Sequence, residues 1–512
     1  MELHVGKRIA QVRQEMGLDQ AEFARLVGMS QGRISQLENS PWVHLKTLQR
    51  IAERTGRDLS FFFLPPGEEE TPQQRAVREE RERFQREVAS FLAFLQDLLG
   101  EWVLRLPPHR GIHLVERLLT LAQRQEGDWA RQLQVKSLLA LADLREALGE
   151  YTSARTSVEQ ALALAEQMGD ESARWACLYK QAVLDYRTGD FPRAAEGFRE
   201  VAEKGPWPWR WRGFVGLSAL AEQEGRLREA QEALEHAWAS LPPEERRSPS
   251  LARLYIESSR VNLALAEGDL LRAEALARSA LHTAEQRGDA AAALEERTNL
   301  ALALLEQGQE EAAEEVLSQG LAAPEVAQDR RRWALAQSVL ARSLARRQRF
   351  PEAEAAAQEA LEGAEELKEP VVQFYAHWAA GEVERERRRW HRAYHHLQRA
   401  VEVAQRHRWP LYEARASLEM VPVLLELGEG EEARQRLEVA QRSAEAGGAR
   451  SLEALAWALW AQWHRHQGQE EQALAAARQA WEKAKTLALA PLQEWLEEHY
   501  PHILQAEKGE PR

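Results

Sequence analysis

Cysteine is almost missing from this chain. Cys177 stands alone in 512 residues, so no intrachain disulfide can form, and a reducing, cytoplasmic setting is expected. In an apolar helical context it reads as a packed core residue. Long apolar runs are missing as well: the mean hydropathy is -0.55, and no stretch reaches the length of a membrane-spanning helix. The first residues hold no apolar signal core. Motifs of catalysis are equally scarce. There is no phosphate-binding loop, no H-E-x-x-H, no nucleophile elbow and no paired-cysteine metal spacing, so neither enzyme activity nor a cofactor is expected. His391 and His395 lie four apart on a helical pattern beside His396. Without a carboxylate or thiolate partner nearby they read as surface residues rather than a metal set, as do His464 and His466.

What is present is helix-forming residues and unevenly placed charge. The length exceeds that of a single core. The net charge is -14, yet residues 1–60 carry nine Lys/Arg against seven Asp/Glu, a local balance of +2 that leaves -16 for the remainder. An acidic body is repelled by phosphates, so any contact with nucleic acid falls to the N-terminal segment. The modest positive charge there predicts weak non-specific affinity and binding as a pair.

That segment contains LDQAEFARLVGMSQGRISQLENS, residues 18–40. Asp19 and Glu22 have the D-x-x-E form of a capping box and open a helix at Gln20. Phe23, Ala24 and Val27 give it an apolar face. Gly28 supplies a corner, and Ser30 is a good N-cap for a second helix. In that second helix Ile34 and Leu37 point inward, while Gln31, Gly32, Arg33 and Gln36 stay polar. A buried helix followed by one presenting amides and a guanidinium is the helix-turn-helix arrangement.

Leu18, Gln20, Phe23-Ala24, Gly28, Ser30, Ile34-Ser35 and Leu37-Glu38 together resemble the helix-turn-helix of the Xre/lambdoid phage repressor family, over about residues 4–64. The segment VGKRIAQVRQEMG reads as a first helix stopped by Gly17. HLKTLQRIAERTG and DLSFFF read as helices four and five, burying Leu48, Ile51 and Leu59. The resemblance implies binding to double-stranded DNA. Gln20 would touch a phosphate, Gln31 and Gln36 would read base edges, and Arg13 would pair with Glu38. Gly32 departs from the family, whose members often carry a base-reading side chain there. Arg33 or Asn39 would compensate, and Lys46 joins the DNA-contacting set. A helix-turn-helix used only for protein contacts is the alternative.

Pro65, Pro66, Gly67, the run Glu68–Glu70 and Pro72 end this domain, giving 1–64 as the DNA-binding domain and 65–76 as a linker. Residues 77–109 become amphipathic through Phe84, Val88, Phe91, Leu95 and Leu98. They read as a capping helix of the next domain, or as a dimerising one.

From about residue 110 the chain repeats. Turn positions fall at Gly149, Gly189, Gly225, Gly268, Gly308, Gln348, Arg388, Gly428 and Gly468, mostly 40 apart with single spacings of 36 and 43. Five residues after each stands an alanine, from Ala154 to Ala473. Twelve after each stands another small residue in most repeats, with Val201 and Gly320 as variants. Such spacing lets antiparallel helices approach closely and stack. Gly149-x-Tyr151-x-x-Ala154 and Gly189-x-Phe191-x-x-Ala194 resemble the tetratricopeptide repeat in a 40-residue form. The expected fold is therefore all-α: a five-helix N-terminal domain, then an α-solenoid of about nine hairpins over 110–500, with 501–512 a frayed tail after a capping helix at PLQEWLEEHYPHI. The Trp-rich stretch Pro206–Arg212 reads as packing across the shortened repeat, with a contact surface as the alternative.

Stacked in that manner, the first helix of each hairpin lines a concave groove. Counting back from the turns places Lys136, Tyr179, Tyr186, Arg212, Tyr255, Asn262, Thr298, Arg342, Tyr375, Trp378, Glu382, Arg385 and Arg415 there. Asn pairs with peptide backbone and Arg with carboxylate, which suits an extended peptide. The combination resembles the bacterial peptide-pheromone-sensing regulators. This implies a dimeric transcription regulator whose repeats bind a peptide or protein effector. A scaffold that recruits partner proteins, with the helix-turn-helix as a DNA tether, is the alternative.

Overall fold

The computed structural model describes residues 5–63, 80, 83, 108–124, 127–323, 326 and 329–501. The linker 65–76, nearly all of the 77–109 segment and the tail beyond residue 501 lie outside the described residues. Every regular element described is helical. The chain divides into two compact units, with the boundary between Leu95 and Gln96.

In the first unit, α1 (Val5–Glu15), α2 (Gln20–Val27), α3 (Gln31–Glu38) and α4 (Leu45–Thr55) close around Ile9, Phe23, Ile34, Leu48 and Ile51. The capping box at the start of α2 is complete: the Glu22 N–H donates to Asp19 Oδ1 at 2.7 Å, and the Asp19 N–H donates to Glu22 Oε2 at 2.9 Å. Ser30 holds the N-cap position of α3 with extended backbone, but its side chain makes no cap bond. The fifth helix is only a 3₁₀ turn, Leu59–Phe63. Contrary to the sequence reading, Leu59 is half-buried, and Phe61 and Phe62 are what this turn sends into the core. With three residues per turn and poorer hydrogen-bond geometry, so short a piece is fixed by packing of its large side chains. The Arg8 guanidinium covers the Phe61 ring at 4.6 Å.

The first described helix of the second unit is Pro108–Gln123. Nine helical hairpins follow, counted here from Asp128–Ala147 with Tyr151–Met168 as the first to Arg450–His466 with Glu470–Thr486 as the ninth, and the helix Ala490–His499 caps the stack. All nine turn positions have positive φ, including the two that are not glycine, Gln348 and Arg388, both at 59°. The nine alanines five residues on are completely buried. Each lies where the second helix of a hairpin leans on the first, and a larger side chain has no room.

The solenoid turns back on itself. The turns of the first five hairpins meet the junctions that follow later second helices: a Cβ on Gly149 would come 2.8 Å from Leu367, on Gly189 2.8 Å from His407, on Gly225 3.1 Å from Pro410, on Gly268 2.5 Å from Ser451, and on Gly308 2.7 Å from Pro491. Leu270 packs with Ala454, Ala484 and Leu489. The Glu369 carboxylate, wholly buried, ties this seam. It accepts from Tyr151 Oη at 3.1 Å, from Arg187 Nη1 at 3.4 Å and from Arg331 Nε at 2.9 and 3.0 Å. The expected open groove is thus a channel closed along its side.

Candidate functional site

Ile34 and Leu37 anchor α3 in the core, which leaves Gln31, Gly32, Arg33 and Gln36 exposed along one face, with Asn39 just beyond. Both glutamines project into solvent. Arg33 Nη1 lies 3.4 Å from Gln36 Oε1, and Asn39 Nδ2 donates back to Ser35 O at 2.8 Å. Glu38, at the buried end of α3, accepts from Arg13 Nε at 2.6 Å and from Arg13 Nη2 at 3.2 Å. This bidentate pair locks α3 to α1. Gln20 belongs to the same network, its Nε2 donating to Glu38 Oε2 at 2.8 Å. An amide carries two N–H groups, so one remains for a phosphate. Lys46 is exposed in the first turn of α4. Trp42, 78% exposed on the loop between α3 and α4, was not singled out by sequence reasoning.

Gly6 sets how closely α1 approaches the recognition helix. A Cβ there would stand 2.3 Å from Leu37 O, 2.5 Å from Glu38 O and 2.6 Å from Ser40 O. Its N–H donates to Ser40 O at 3.1 Å. Gly32 is the opposite case, with no atom within 4 Å of an added Cβ.

The closed channel of the second unit has a volume of about 1120 Å³. Of the residues expected in a groove, it gathers Tyr186, Asn262, Thr298, Tyr375, Trp378, Arg385 and Arg415. It leaves out the rest. Lys136 is exposed elsewhere. Arg212 stacks on Trp209 and Trp211, both at 4.6 Å, with Tyr179 at 5.9 Å, so this part of the Trp-rich stretch is packed, while Trp207 is 45% exposed. Tyr255 sits against Trp211. Arg342 and Glu382, read from sequence as groove-facing, are buried behind the wall.

Those two are the centre of an ion network. Arg342 Nε donates to Glu382 Oε2 at 2.5 Å and Arg342 Nη2 to Glu306 Oε1 at 2.9 Å. Arg346 Nε donates to Glu382 Oε1 at 2.7 Å, Arg385 Nη1 to Glu419 Oε2 at 2.7 Å, and Arg415 Nη1 to Glu306 Oε1 at 3.4 Å. Burial alone would raise the Glu306 carboxyl, but Arg415, Arg342 and Arg346 bring it down to about 2. Arg342 and Arg415 both lie over the Trp378 ring, at 3.8 and 5.1 Å. Arg342 Nη1, Arg385 Nε and Trp378 Nε1 are buried donors without an acceptor. Of these three, Arg385 and Trp378 belong to the channel lining, and Arg342 lies behind it.

Another part of the channel offers the reverse. Glu222 faces it with no cationic partner among the described residues, and burial pushes its carboxyl up to about 7. Its charge is felt by Tyr186, Tyr375 and Tyr412. Next to it, Gln223 donates to Tyr186 Oη at 2.6 Å and leaves its own Oε1 buried and unsatisfied. Sequence reasoning missed Glu222, Gln223, Asn299 and Tyr412. A signal existed: Tyr186, Glu222 and Arg385 each stand three residues before a turn, and Gln223, Glu306, Arg346 and Glu426 two before. His391 and His395 are exposed, and Cys177 is buried, its thiol pushed up to about 12 by desolvation.

Residues 9–62 match the family described as helix-turn-helix. The chain is 38% identical over 71 residues to the HTH-type transcriptional regulator PuuR of Escherichia coli (strain K12), and equally to that of Shigella flexneri; the match takes in 13% of this chain and 37% of the relative. The chain therefore spans little more than a third of the curated relatives it matches. Among solved structures it is similar to a Rap protein complexed with Competence and Sporulation Factor (TM-score 0.45, 12% identity, 73% of this chain and 98% of that one). It is also similar to NprR in complex with its cognate peptide NprX (TM-score 0.42, 13% identity, 65% and 98%). Residues 9–62 thus belong to the helix-turn-helix family in its Xre form, placed ahead of an all-α repeat solenoid.

Proposed function

We propose that the protein is a dimeric, sequence-specific transcription regulator: residues 1–64 bind double-stranded DNA, and the solenoid over 110–500 takes a short peptide in its channel. Gln31 and Gln36 read base edges, with Arg33 and Asn39 beside them. Gln20 and Lys46 hold phosphates, and the Arg13–Glu38 pair keeps α3 at the required angle.

The observation that carries the peptide reading is the split chemistry of the channel. Glu222 and Gln223 Oε1 lack a donor, whereas the channel-lining Arg385 Nε and Trp378 Nε1 lack an acceptor. A buried polar group left unpaired costs about 1–3 kcal/mol, so a ligand that completes both sets gains at each end. The fitting molecule bears an ammonium or guanidinium at one place and a carbonyl or carboxylate at another, with Asn262 and Thr298 along its backbone. A peptide containing lysine or arginine has this form. The closed side of the channel favours such a ligand over a folded protein partner, which the scaffold reading would need.

Calorimetry of the full chain with synthetic peptide pools, with and without basic residues, tests this together with promoter-binding shifts. Binding confined to the basic pools, with altered DNA affinity, is expected; heat from neither pool would remove the sensing role. Replacing Gln31 or Gln36 by Ala should cost about 1–3 kcal/mol at the cognate site. Unchanged footprints for both would remove the DNA reading.

A further inference from the structure

The second helices of the sixth and seventh hairpins, Phe350–Leu367 and Trp390–His407, start forty residues apart and are equivalent positions of the repeat. Their outward faces carry opposite charge at matched places. Glu352, Glu359 and Glu366 are spaced by seven on the first, and Arg392, Arg399 and Arg406 by seven on the second. All six are exposed. Residues seven apart lie almost on one line along a helix, about 10.5 Å from one another. The neighbouring repeats lack the pattern: the places equivalent to the glutamates hold Glu432, Val439 and Ala446 after it, and Ala312 and Gln319 before it. Glu402 is the single acidic residue on the basic helix.

The arginine stripe is poorly satisfied within the chain. Arg406 has no acidic partner among the described residues. Arg399 reaches only Glu402, at 3.1 Å within its own helix, and Arg392 reaches Glu384 at 3.9 Å. The glutamates make local contacts, Glu352 with Arg349, Glu366 with Arg330 at 2.7 Å and Glu359 with the Trp333 indole at 3.3 Å. No pair joins one stripe to the other.

Both helices are second members of successive hairpins and run in the same direction. A twofold axis lying between them, along that direction, lays the glutamate stripe of one molecule on the arginine stripe of another without changing height. Glu352 then faces Arg392 of the second copy, Glu359 faces Arg399 and Glu366 faces Arg406. The reverse set forms at once, since a twofold contact is self-complementary. An axis running across the helices would instead place like on like. We propose that this paired face, glutamates on one helix and arginines on the next, is the surface through which two copies of the chain associate. The inference rests on the dimer included in the proposed function and names its surface. For molecules each carrying -14, a locally complementary face is also what lets two copies meet.

The test uses the full chain in sedimentation or light scattering. R392E/R399E/R406E makes the face wholly acidic, and E352R/E359R/E366R makes it wholly basic. Each set of three reversals moves the net charge by six, from -14 to -20 or to -8. Each variant should self-associate at least about tenfold more weakly than the parent. In the basic variant overall repulsion falls, so a loss there cannot come from net charge. An equimolar mixture of the two should form a heterodimer, and the six-residue swap should associate with itself again. Circular dichroism and melting check that the exposed substitutions leave the fold intact.

Triple variants that dimerise like the parent would overturn the assignment and leave the dimer reading standing. A parent that is monomeric throughout would remove both. Weak single variants whose mixture fails to recover would overturn complementarity, as would an arginine variant that keeps its dimer but loses affinity for DNA.

Discussion

Two glycine-to-alanine substitutions in the first unit should act with opposite sign. At Gly6 the new Cβ meets three backbone carbonyls at 2.3–2.6 Å, none of which belongs to a side chain that could swing away. Either α1 or the C-terminal end of α3 must shift, weakening the Gly6 N–H to Ser40 O bond and the Arg13–Glu38 pair. Forced overpacking costs about 1–3 kcal/mol. A unit of this size holds only about 3–9 kcal/mol in total. At about 4–8 °C per kcal/mol, its melting point should fall by roughly 10 °C. At Gly32 nothing lies within 4 Å, so Ala removes backbone freedom from the unfolded chain at no steric cost and should stabilise α3 by about 0.5–1 kcal/mol. Hydrogen exchange read by mass spectrometry on the full chain assigns each change to α1–α3, apart from the solenoid. The Gly6→Ala variant should exchange faster in α3 and bind DNA less well. Gly32→Ala should exchange more slowly there, and a simultaneous loss of DNA affinity would mean that the backbone at residue 32 approaches the duplex too closely for a methyl group. Slower or unchanged exchange in Gly6→Ala would refute the account of how α3 is positioned.

Other expectations concern the second unit. If the ionised Glu222 receives a cationic group, affinity for basic peptides should strengthen as pH rises through about 7; calorimetry at pH 6 and pH 8 reads this, and Glu222→Gln should flatten it. Glu296, buried and near Glu295, has its carboxyl raised from 4.5 to about 8, chiefly by desolvation. The folded state therefore holds that proton more tightly than the unfolded one. Stability from this group is fully present below pH 4.5 and is lost as pH rises towards and through 8, a slope that urea titrations should find and Glu296→Gln should remove. Glu369→Gln leaves Arg187 and Arg331 without their shared carboxylate at the seam, and loss of one partner from a buried pair costs about 3–5 kcal/mol. Faster exchange at the turns near Gly149 and Gly189 should accompany a lower urea midpoint; an unchanged midpoint would mean that the seam is held by packing alone.

The repeat was legible because its marks are local and recur. A positive φ at each turn and an alanine five residues later are demanded wherever two helices fold back and touch, so the period survives even at Gln348 and Arg388. The recognition helix was legible for a similar reason, since Asp19, Glu22, Ile34 and Leu37 act within a few residues of each other. The seam was not legible. It joins Tyr151 to Glu369 and Arg187 to Glu369, contacts 218 and 182 residues apart, and superhelical curvature that brings them together accumulates from small rotations at every hairpin. With the seam unseen, the interior was counted from one face of each first helix. Arg342 and Glu382 were thereby assigned to the lumen, although curvature draws them into the wall. Glu222 went unnoticed because an unpaired glutamate in an acidic chain looks like solvated surface until Tyr186 of the preceding hairpin and Tyr375 and Tyr412 of distant ones are brought near it.

Channel and seam are not separate devices, because they share side chains. Glu306 lines the channel and accepts from Arg342, its neighbour in the stack, and from Arg415, 109 residues further on. Arg415 also lines the channel and lies over Trp378. A ligand carboxylate or carbonyl reaching Arg415 must compete with Glu306 for the guanidinium or add to the same cluster. In the first case filling the channel loosens a tie between distant hairpins, and in the second it tightens one. Either way the free energy of occupancy and that of closure are coupled, and the coupling acts equally in both directions. The Glu369→Gln substitution, which weakens the seam, should therefore change peptide affinity although Glu369 itself does not line the channel and reaches it only through its partner Arg331. The direction of that change distinguishes competition from addition, and an affinity indifferent to Glu369 would show that the channel fills without regard to whether the superhelix is closed.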